Sequence, residues 1–578
     1  MPRKLQLLLS LVLLAVSAFA GTGCGSGSSG TSIDPADAVP ASAALYAGAI
    51  VRPEGKLQKA ASTAGRTLTH QADPYLRLLG ALQTPGSSAP DFEHDIAPWL
   101  GPHAGIFISS GSGSSEAATS RLLKLLEQGL LGSAPGGGSF PFAAHTVEGA
   151  ILLDTRDTAK ARSFLQTLAS RARAHTSSYR GVSYQAANGI AFGIVSRLAV
   201  IGTEPALHAV IDTTAGGGLS LAHSPGYAKL QTAAPSSVLA HLYANPGAVS
   251  EGAGRAGAQG SASALSLLAG QRLLNVSLVP STSSFAVDVD AAAPDAGTAP
   301  GGLFAASSAA SRALGELPGE SWLAVGLGDI GSTLGSNTQA LQGLASLGSL
   351  ITGSDGSEAP AAGLSVKGLL EGLLTPLRAL ASGGAETKRD FTSWMGSAGL
   401  FAAGTGLLEL KGGVVIDSKD PALSRAAVDK LAARLRQDGG SAQRTSIPGA
   451  DAAVAAHISG LPVVLDIADG HDAGGRAKFV IGIGEQSVEA ALDPSSTLSG
   501  ASSYGTAAAT LGEGIQPSVL VEFPTLLGLL EGVGLSEDPS VSPFVPYLRS
   551  LGTLSGGGKD LGGGVERFRL VLGLQGSG

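Results

Sequence analysis

Gly149 to Asp157 reads GAILLDTRD, and Gly412 to Asp420 reads GGVVIDSKD. In both, glycine opens a short apolar run of the kind a buried strand uses, and an Asp-x-x-Asp turn closes it. The period then changes. Ala161, Phe164, Leu165, Leu168 and Ala172 recur at helical spacing after the first run, as do Leu423, Ala427, Leu431 and Leu435 after the second. Asp157 and Asp420 stand where helix N-caps belong, and Pro421 fills the first helical position, where its missing N–H costs nothing.

Outward from this pair, the chain matches itself in a constant order. Upstream, Pro40 to Val51 parallels Pro318 to Leu327, and Trp99-Leu100-Gly101 parallels Trp394-Met395-Gly396. Downstream, Ala199 to Asp212 parallels Phe479 to Asp493; Tyr227, Pro235 to Val238 and Phe285 to Val289 find partners in Tyr504, Pro517 to Val519 and Phe568 to Leu572. Strands are predicted at Val182 to Tyr184, Ile190 to Ile194, Leu198 to Ile201, Val238 to Tyr243, Val276 to Val279 and Phe285 to Val289, with a helix at Pro205 to Asp212. The expected fold class is α+β: two internally duplicated units, each a mostly antiparallel sheet covered by helices. The units span 33–298 and 299–578, with a Pro/Gly-rich seam at Ala291 to Gly302. Gly/Ser-rich stretches at 109–115, 133–139 and 352–361 read as surface loops. Leu-rich helices are expected at 121–131, 338–351 and 364–380, either covering the sheet or lining a groove for an apolar ligand.

Composition narrows the function classes. Among 578 residues, 84 are glycine, and charged residues reach only 14%, against about 25% in ordinary domains. Glycine has no three-residue period, which excludes collagen, and 44% hydrophobic content excludes a disordered chain. A net charge of -8 and 4% aromatics argue against nucleic acid as a partner.

The N-terminus locates the protein. Arg3 and Lys4 precede an uncharged apolar run from Leu5 to Ala20, so residues 1–23 are expected to be a secretory signal peptide. Gly21-Thr22-Gly23-Cys24 is similar to a bacterial lipobox, in which the cysteine is lipidated, with Gly21 standing where a leucine is usual. Ala18-Phe19-Ala20 offers ordinary cleavage and secretion instead. Cys24 is the only cysteine, which excludes an intramolecular disulfide or a cysteine cluster for metal. Lipidation gives that lone thiol a role, and residues 24–32 then form a flexible tether from the extracytoplasmic face of the cell membrane.

The order of motifs carries a resemblance: a small-residue strand, Trp-Leu-Gly, the strand ending in Asp-x-x-Asp, Tyr179-x-Gly-Val-x-Tyr184, then Val200-Ile-Gly-Thr-Glu-x-Ala-Leu207. It resembles domain-of-unknown-function family 3352, a bacterial, mostly actinobacterial group. The resemblance implies an exported envelope protein and supplies no catalytic residues.

No catalytic, cofactor or metal site is expected. Gly326-x-Gly328-x-x-Gly331 has dinucleotide-loop spacing, but its counterpart near Ala47 to Val51 keeps only Gly48; Gly557-Gly558-Lys559-Asp560 lacks the Ser/Thr of a phosphate loop. The pairs Asp154/Asp157 and Asp417/Asp420 are read as strand-end and capping residues before acid–base groups. Glu204 and Glu485 are read as helix-start carboxylates. His94-Asp95, and His471 near Asp469 and Asp472, are read as surface neighbours, and Trp99 and Trp394 as packing residues. The expected function is a non-catalytic binding or structural module whose partners are the membrane, through lipid on Cys24, and an envelope protein or an apolar ligand. A carrier or sensor of a lipid-like ligand is the second reading, and an extracytoplasmic enzyme the third.

Overall fold

The computed structural model describes residues 32–69, 92–109, 148–245, 273–292, 307–332, 391–406, 409–437, 439–457, 463–532, 534, 536, 542 and 545–575. The expected signal peptide, Cys24 and most of the expected tether, most of the seam, the three Leu-rich segments and nearly all of the Gly/Ser-rich stretches lie outside the described residues.

The chain divides into two compact units, one within 6–298 together with Leu561–Val565, the other within 299–560 and 566–578. The first contributes β1 (Ala43–Ile50), β2 (Leu100–Ser109), β3 (Gly149–Thr155), β4 (His175–Tyr179) and β5 (Val182–Ala187). It continues with β6 (Ile190–Val195), β7 (Leu198–Thr203), β8 (Ala240–Ala244), β9 (Leu273–Pro280) and β10 (Ser284–Ala292). Their pairing order is β10-β9-β8-β1-β2-β3-β7-β6-β5-β4, antiparallel throughout. The second half contributes β11 (Ser321–Leu327), β12 (Met395–Ala403), β13 (Lys411–Ser418), β14 (Ser441–Thr445) and β15 (Ala450–His457). After these come β16 (Val464–His471), β17 (Ala477–Ile483), β18 (Gln516–Glu522), β19 (Leu551–Gly562) and β20 (Val565–Leu574). They pair in the serial order β20-β19-β18-β11-β12-β13-β17-β16-β15-β14.

The twenty described strands belong to one sheet. The expected α+β fold, two duplicated and separately helix-covered sheets, is therefore corrected to a single large antiparallel sheet. The reason is physical: apolar alternation reports which face of a strand is buried, whereas the extent of a sheet is set by backbone hydrogen bonds that leave no side-chain signature.

The helices among the described residues are α1 (Gly55–Thr69), α2 (Thr158–Arg171), α3 (Glu204–Thr214), α4 (Pro225–Ala233), α5 (Ser308–Gly315), α6 (Pro421–Gln437), α7 (Glu485–Leu492), α8 (Ser502–Leu511), α9 (Phe523–Gly532) and α10 (Val545–Arg549). Strand β7 explains where those of the first unit pack. Its continuous apolar run is buried on both sides, as a strand covered on both faces must be. Leu198 and Val200 meet Leu207, Val210 and Ile211 of α3, while Ala199 and Ile201 meet Ala161, Leu165 and Ala169 of α2. In the second unit Phe479 and Ile481 of β17 face Ala427 and Leu431 of α6, and Val480 faces Val488 and Leu492 of α7.

Three successive two-residue turns join β4 to β7. Arg180 and Gly181, then Asn188 and Gly189, have positive φ (47° and 79°, 52° and 76°), the conformation that lets a tight hairpin follow the strand twist, and Ser196 begins the third at 55°.

Candidate functional site

Asp157 starts α2 by accepting hydrogen bonds from the backbone N–H groups of Ala159 and Lys160 at 3.1 and 3.0 Å. With the helix phase set, Ala161, Leu165 and Ala169 face the sheet. The neighbouring stripe, Lys160, Ser163, Phe164, Thr167, Leu168 and Arg171, borders a cleft of about 300 Å³. His94, Asp95, Pro98 and Trp99 form its other wall, partly from the single π-helical turn Phe92–Ile96. Trp99 is buried and its indole N–H donates to the Asp95 carbonyl at 2.7 Å, so its polar edge is already satisfied. The Phe164 ring lies 5.4 Å from it, tilted by 38°. Lys160 Nζ is 3.6 Å from Asp157, in a pair that solvent reaches freely, and exposed Arg171 has no ion-pair partner among the described residues.

The second unit holds a smaller cavity of about 160 Å³ built around a buried lysine. Register pairs Lys478 on β17 with Asp417 on β13. The Lys478 ammonium donates to Asp417 and, at 2.7 Å, to Glu316, with Asp472 at 3.8 Å. Arg476 donates to Glu316 and pairs with Asp472 at 2.7 Å, and Ser397 donates its hydroxyl to Asp417. Burial pushes the Asp472 carboxyl up, but the Arg476 backbone N–H and guanidinium prevail and hold it below the usual range. Each cation is matched by carboxylates, and the cluster ties Glu316, at the end of α5, to β13 and the β16–β17 hairpin. The arrangement is an ion-pair lock.

The family model described as protein of unknown function (DUF3352) matches residues 5–560. The chain belongs to the DUF3352 family. No curated protein matches it. Among solved structures, crystal form I of TP0453 is similar to it at 10% identity over 46% of this chain and 82% of that one, with a TM-score of 0.25. Crystal form III gives 10%, 47%, 84% and 0.24.

In this DUF3352 protein the other sequence candidates are dispersed. Asp154 and Asp157 take separate duties: Asp154 is buried 3.9 Å from Arg197, and burial raises its carboxyl above the ordinary range, while Asp157 caps α2. Asp417 joins the lock, while Asp420 accepts from the N–H groups of Ala422 and Leu423. His471 pairs with Asp451 at 3.1 Å, and Ser424 donates to Asp469 at 2.5 Å, so imidazole and hydroxyl engage different carboxylates. Glu204 accepts from the Tyr184 phenol at 2.5 Å; that phenol also meets His208 at 2.9 Å, and Tyr179 stacks on the same imidazole at 3.9 Å. The Tyr-x-Gly-Val-x-Tyr motif thus closes around α3. Glu485 stands in the first turn of α7, and Trp394 is buried 5.1 Å from Phe479. Lys559 of the Gly-Gly-Lys-Asp stretch lies on β19 and donates to the Glu513 carbonyl at 3.1 Å.

The glycine-spaced motif also has a packing role. A Cβ on Gly326 would stand 2.0 Å from the Ala310 carbonyl of α5, and one on Gly331 would stand 2.4 Å from the Thr392 carbonyl. Among the described residues, no group of three or more His, Cys, Asp or Glu is placed to hold a metal ion, and no helix is long and apolar enough to cross a membrane.

One cluster escaped the sequence reading. Buried Tyr46 lies 6.0 Å from Tyr227, whose phenol meets His241 Nε2 at 2.9 Å. Burial, and after it the charge of Asp34, pushes the Tyr46 phenol well up; burial pushes the His241 imidazole down to about 4. Its signal was Gly48 inside a strand, since a Cβ there would stand 2.6 Å from the His241 ring.

Proposed function

We propose that this protein is exported, anchored through lipid on Cys24 to the extracytoplasmic face of the cell membrane, and acts there as a non-catalytic binding module. The cleft beside Trp99 carries the binding part of this reading. It is an open cleft with Phe164 and Leu168 along one wall and polar groups at its rim, and its size lies at the low end of the range for small-molecule sites. The apolar run Leu5 to Ala20, the lipobox-like Gly21-Thr22-Gly23-Cys24 and the Gly/Ser-rich stretch after it support the location.

Two measurements test it. In cell fractionation the native chain is expected with the membrane and Cys24→Ser outside it; a Cys24→Ser chain that stays in the membrane fraction overturns the anchor. Mass spectrometry of the purified chain under native conditions is expected to reveal a retained small molecule. A protein that is always empty, and that captures only another envelope protein on crosslinking, overturns the small-molecule part.

A further inference from the structure

We infer that the cleft between α2 and Trp99 is a site for a single-chain amphiphilic anion, a carboxylate head on an unbranched apolar body. The inference rests on the binding reading above and names its ligand class. The stripe of α2 that borders the cleft is ordered along its length. Lys160 and Arg171 stand at its two ends, roughly 16 Å apart at helical rise, with Phe164 and Leu168 between them over the Trp99 indole. An apolar chain fits the middle and its head group reaches a cation at either end.

Charge supports an anion. The whole chain carries -8, yet among the described residues that line the cleft Lys160 and Arg171 face one carboxylate, Asp95. Arg171 has no ion-pair partner among the described residues, and the Lys160–Asp157 pair, exposed and 3.6 Å long, is of the kind that holds a lysine weakly. Both cations can turn to a ligand without leaving a buried charge behind. Size supports one chain over two: about 300 Å³ is the bottom of the range for small-molecule clefts.

The helix that matches α2 in sequence supplies a control. Counting from Asp157 and Asp420, the places of Lys160, Ser163, Phe164 and Thr167 are taken in α6 by Leu423, Ala426, Ala427 and Lys430. Ala427 is buried in the core of its unit. Arg171 and Leu168 recur as Arg434 and Leu431, so what sets α2 apart is the leading cation Lys160 together with Phe164 against Trp99.

The test is titration of the full chain in detergent-free buffer with 8-bromooctanoate, whose bromine quenches an indole close to it, here the buried Trp99 behind Phe164. A saturable quench of one of the three tryptophans, Trp99, is expected. The double variant Lys160→Ala/Arg171→Ala changes only exposed side chains and is expected to weaken apparent affinity about tenfold, the worth of a charged hydrogen bond; neutral 8-bromooctan-1-ol should bind weaker than the acid by a similar factor. Phe164→Ala, which copies the residue α6 carries, should also weaken it. No quenching overturns the inference, as does quenching equal for acid and alcohol and unchanged in the double variant. Quenching by phosphatidylglycerol vesicles with brominated acyl chains, but not by the free acid, overturns the single-chain assignment in favour of a lipid surface. A chain that retains some other molecule and ignores 8-bromooctanoate keeps the binding reading and loses this one.

Discussion

Lys478 is buried because three carboxylates make its burial tolerable. Replacing it with methionine leaves Glu316, Asp417 and Asp472 facing one another with only Arg476 to offset them. Removing one partner from a buried ion-pair network costs about 3–5 kcal/mol, so urea unfolding of Lys478→Met should show a loss of that order; a loss below about 1 kcal/mol would mean that the carboxylates simply re-solvate. His241 gives a pH dependence with a definite sign. In the folded chain burial holds its pKa at about 4, and in the unfolded chain it returns to about 6.5. Its contribution is complete above about 6.5 and is lost as pH falls toward about 4, because only the unfolded state takes up the proton in that window. The ring keeps some contact with water, so the loss is about 2 kcal/mol. His241→Gln should flatten the fall in melting temperature between pH 7 and pH 5 relative to the native chain, and an unchanged slope would remove His241 as its source. At this scale the legible residues were those that act locally. Asp157 and Asp420 cap the helices they precede, as a rule spanning three residues requires. Lys478 was illegible because its partner Asp417 is 61 positions away, and only strand register brings the two together.

Elements were legible where period and punctuation agreed. The run Ile190 to Ile194 follows Asn188-Gly189, and β6 begins where that turn ends. The stripe Ala161, Leu165 and Ala169 buries as its spacing requires. Harder to read was the second stripe of α2, since the same spacing that marked Phe164 and Leu168 as core also lets them border a cleft. Gly326 belongs to the same lesson. Its spacing to Gly328 and Gly331 mimics a nucleotide loop, yet a hydrogen on its Cα is what lets β11 press against α5. Gly326→Ala would force the two backbones apart, because the clash is with a carbonyl and no flexible side chain can yield. A loss of about 1–3 kcal/mol is expected in chemical denaturation, the usual cost of overpacking. A neutral outcome would show that α5 can slide along β11.

The single sheet makes the management of its edges a property of the whole molecule. Among the described strands β4 pairs only with β5 and β14 only with β15, and both are short and polar, HTSSY and SAQRT. Short polar edges discourage a further strand from docking. Thr176→Val with Ser178→Val makes β4 apolar on the side it shows to water, and should raise light scattering on dilution from urea while the native chain stays clear; equal scattering would mean that β4 is not a guarded edge. The extent of the sheet stayed hidden at the sequence level, because polar residues in β4 and β14 look the same whether a strand ends a sheet or lies in a loop. The tight turns at Arg180-Gly181, Asn188-Gly189 and Ser196 carry one more consequence, for the order of assembly. They make β4 to β7 a run of neighbours in sequence as well as in space, whereas β1 must wait for β8, nearly two hundred residues later, to find its second partner. Loop closure over such a distance is slow and hairpin formation is fast. This meander, like β14 to β17 in the other unit, is therefore expected to form before the pairings that must close long loops.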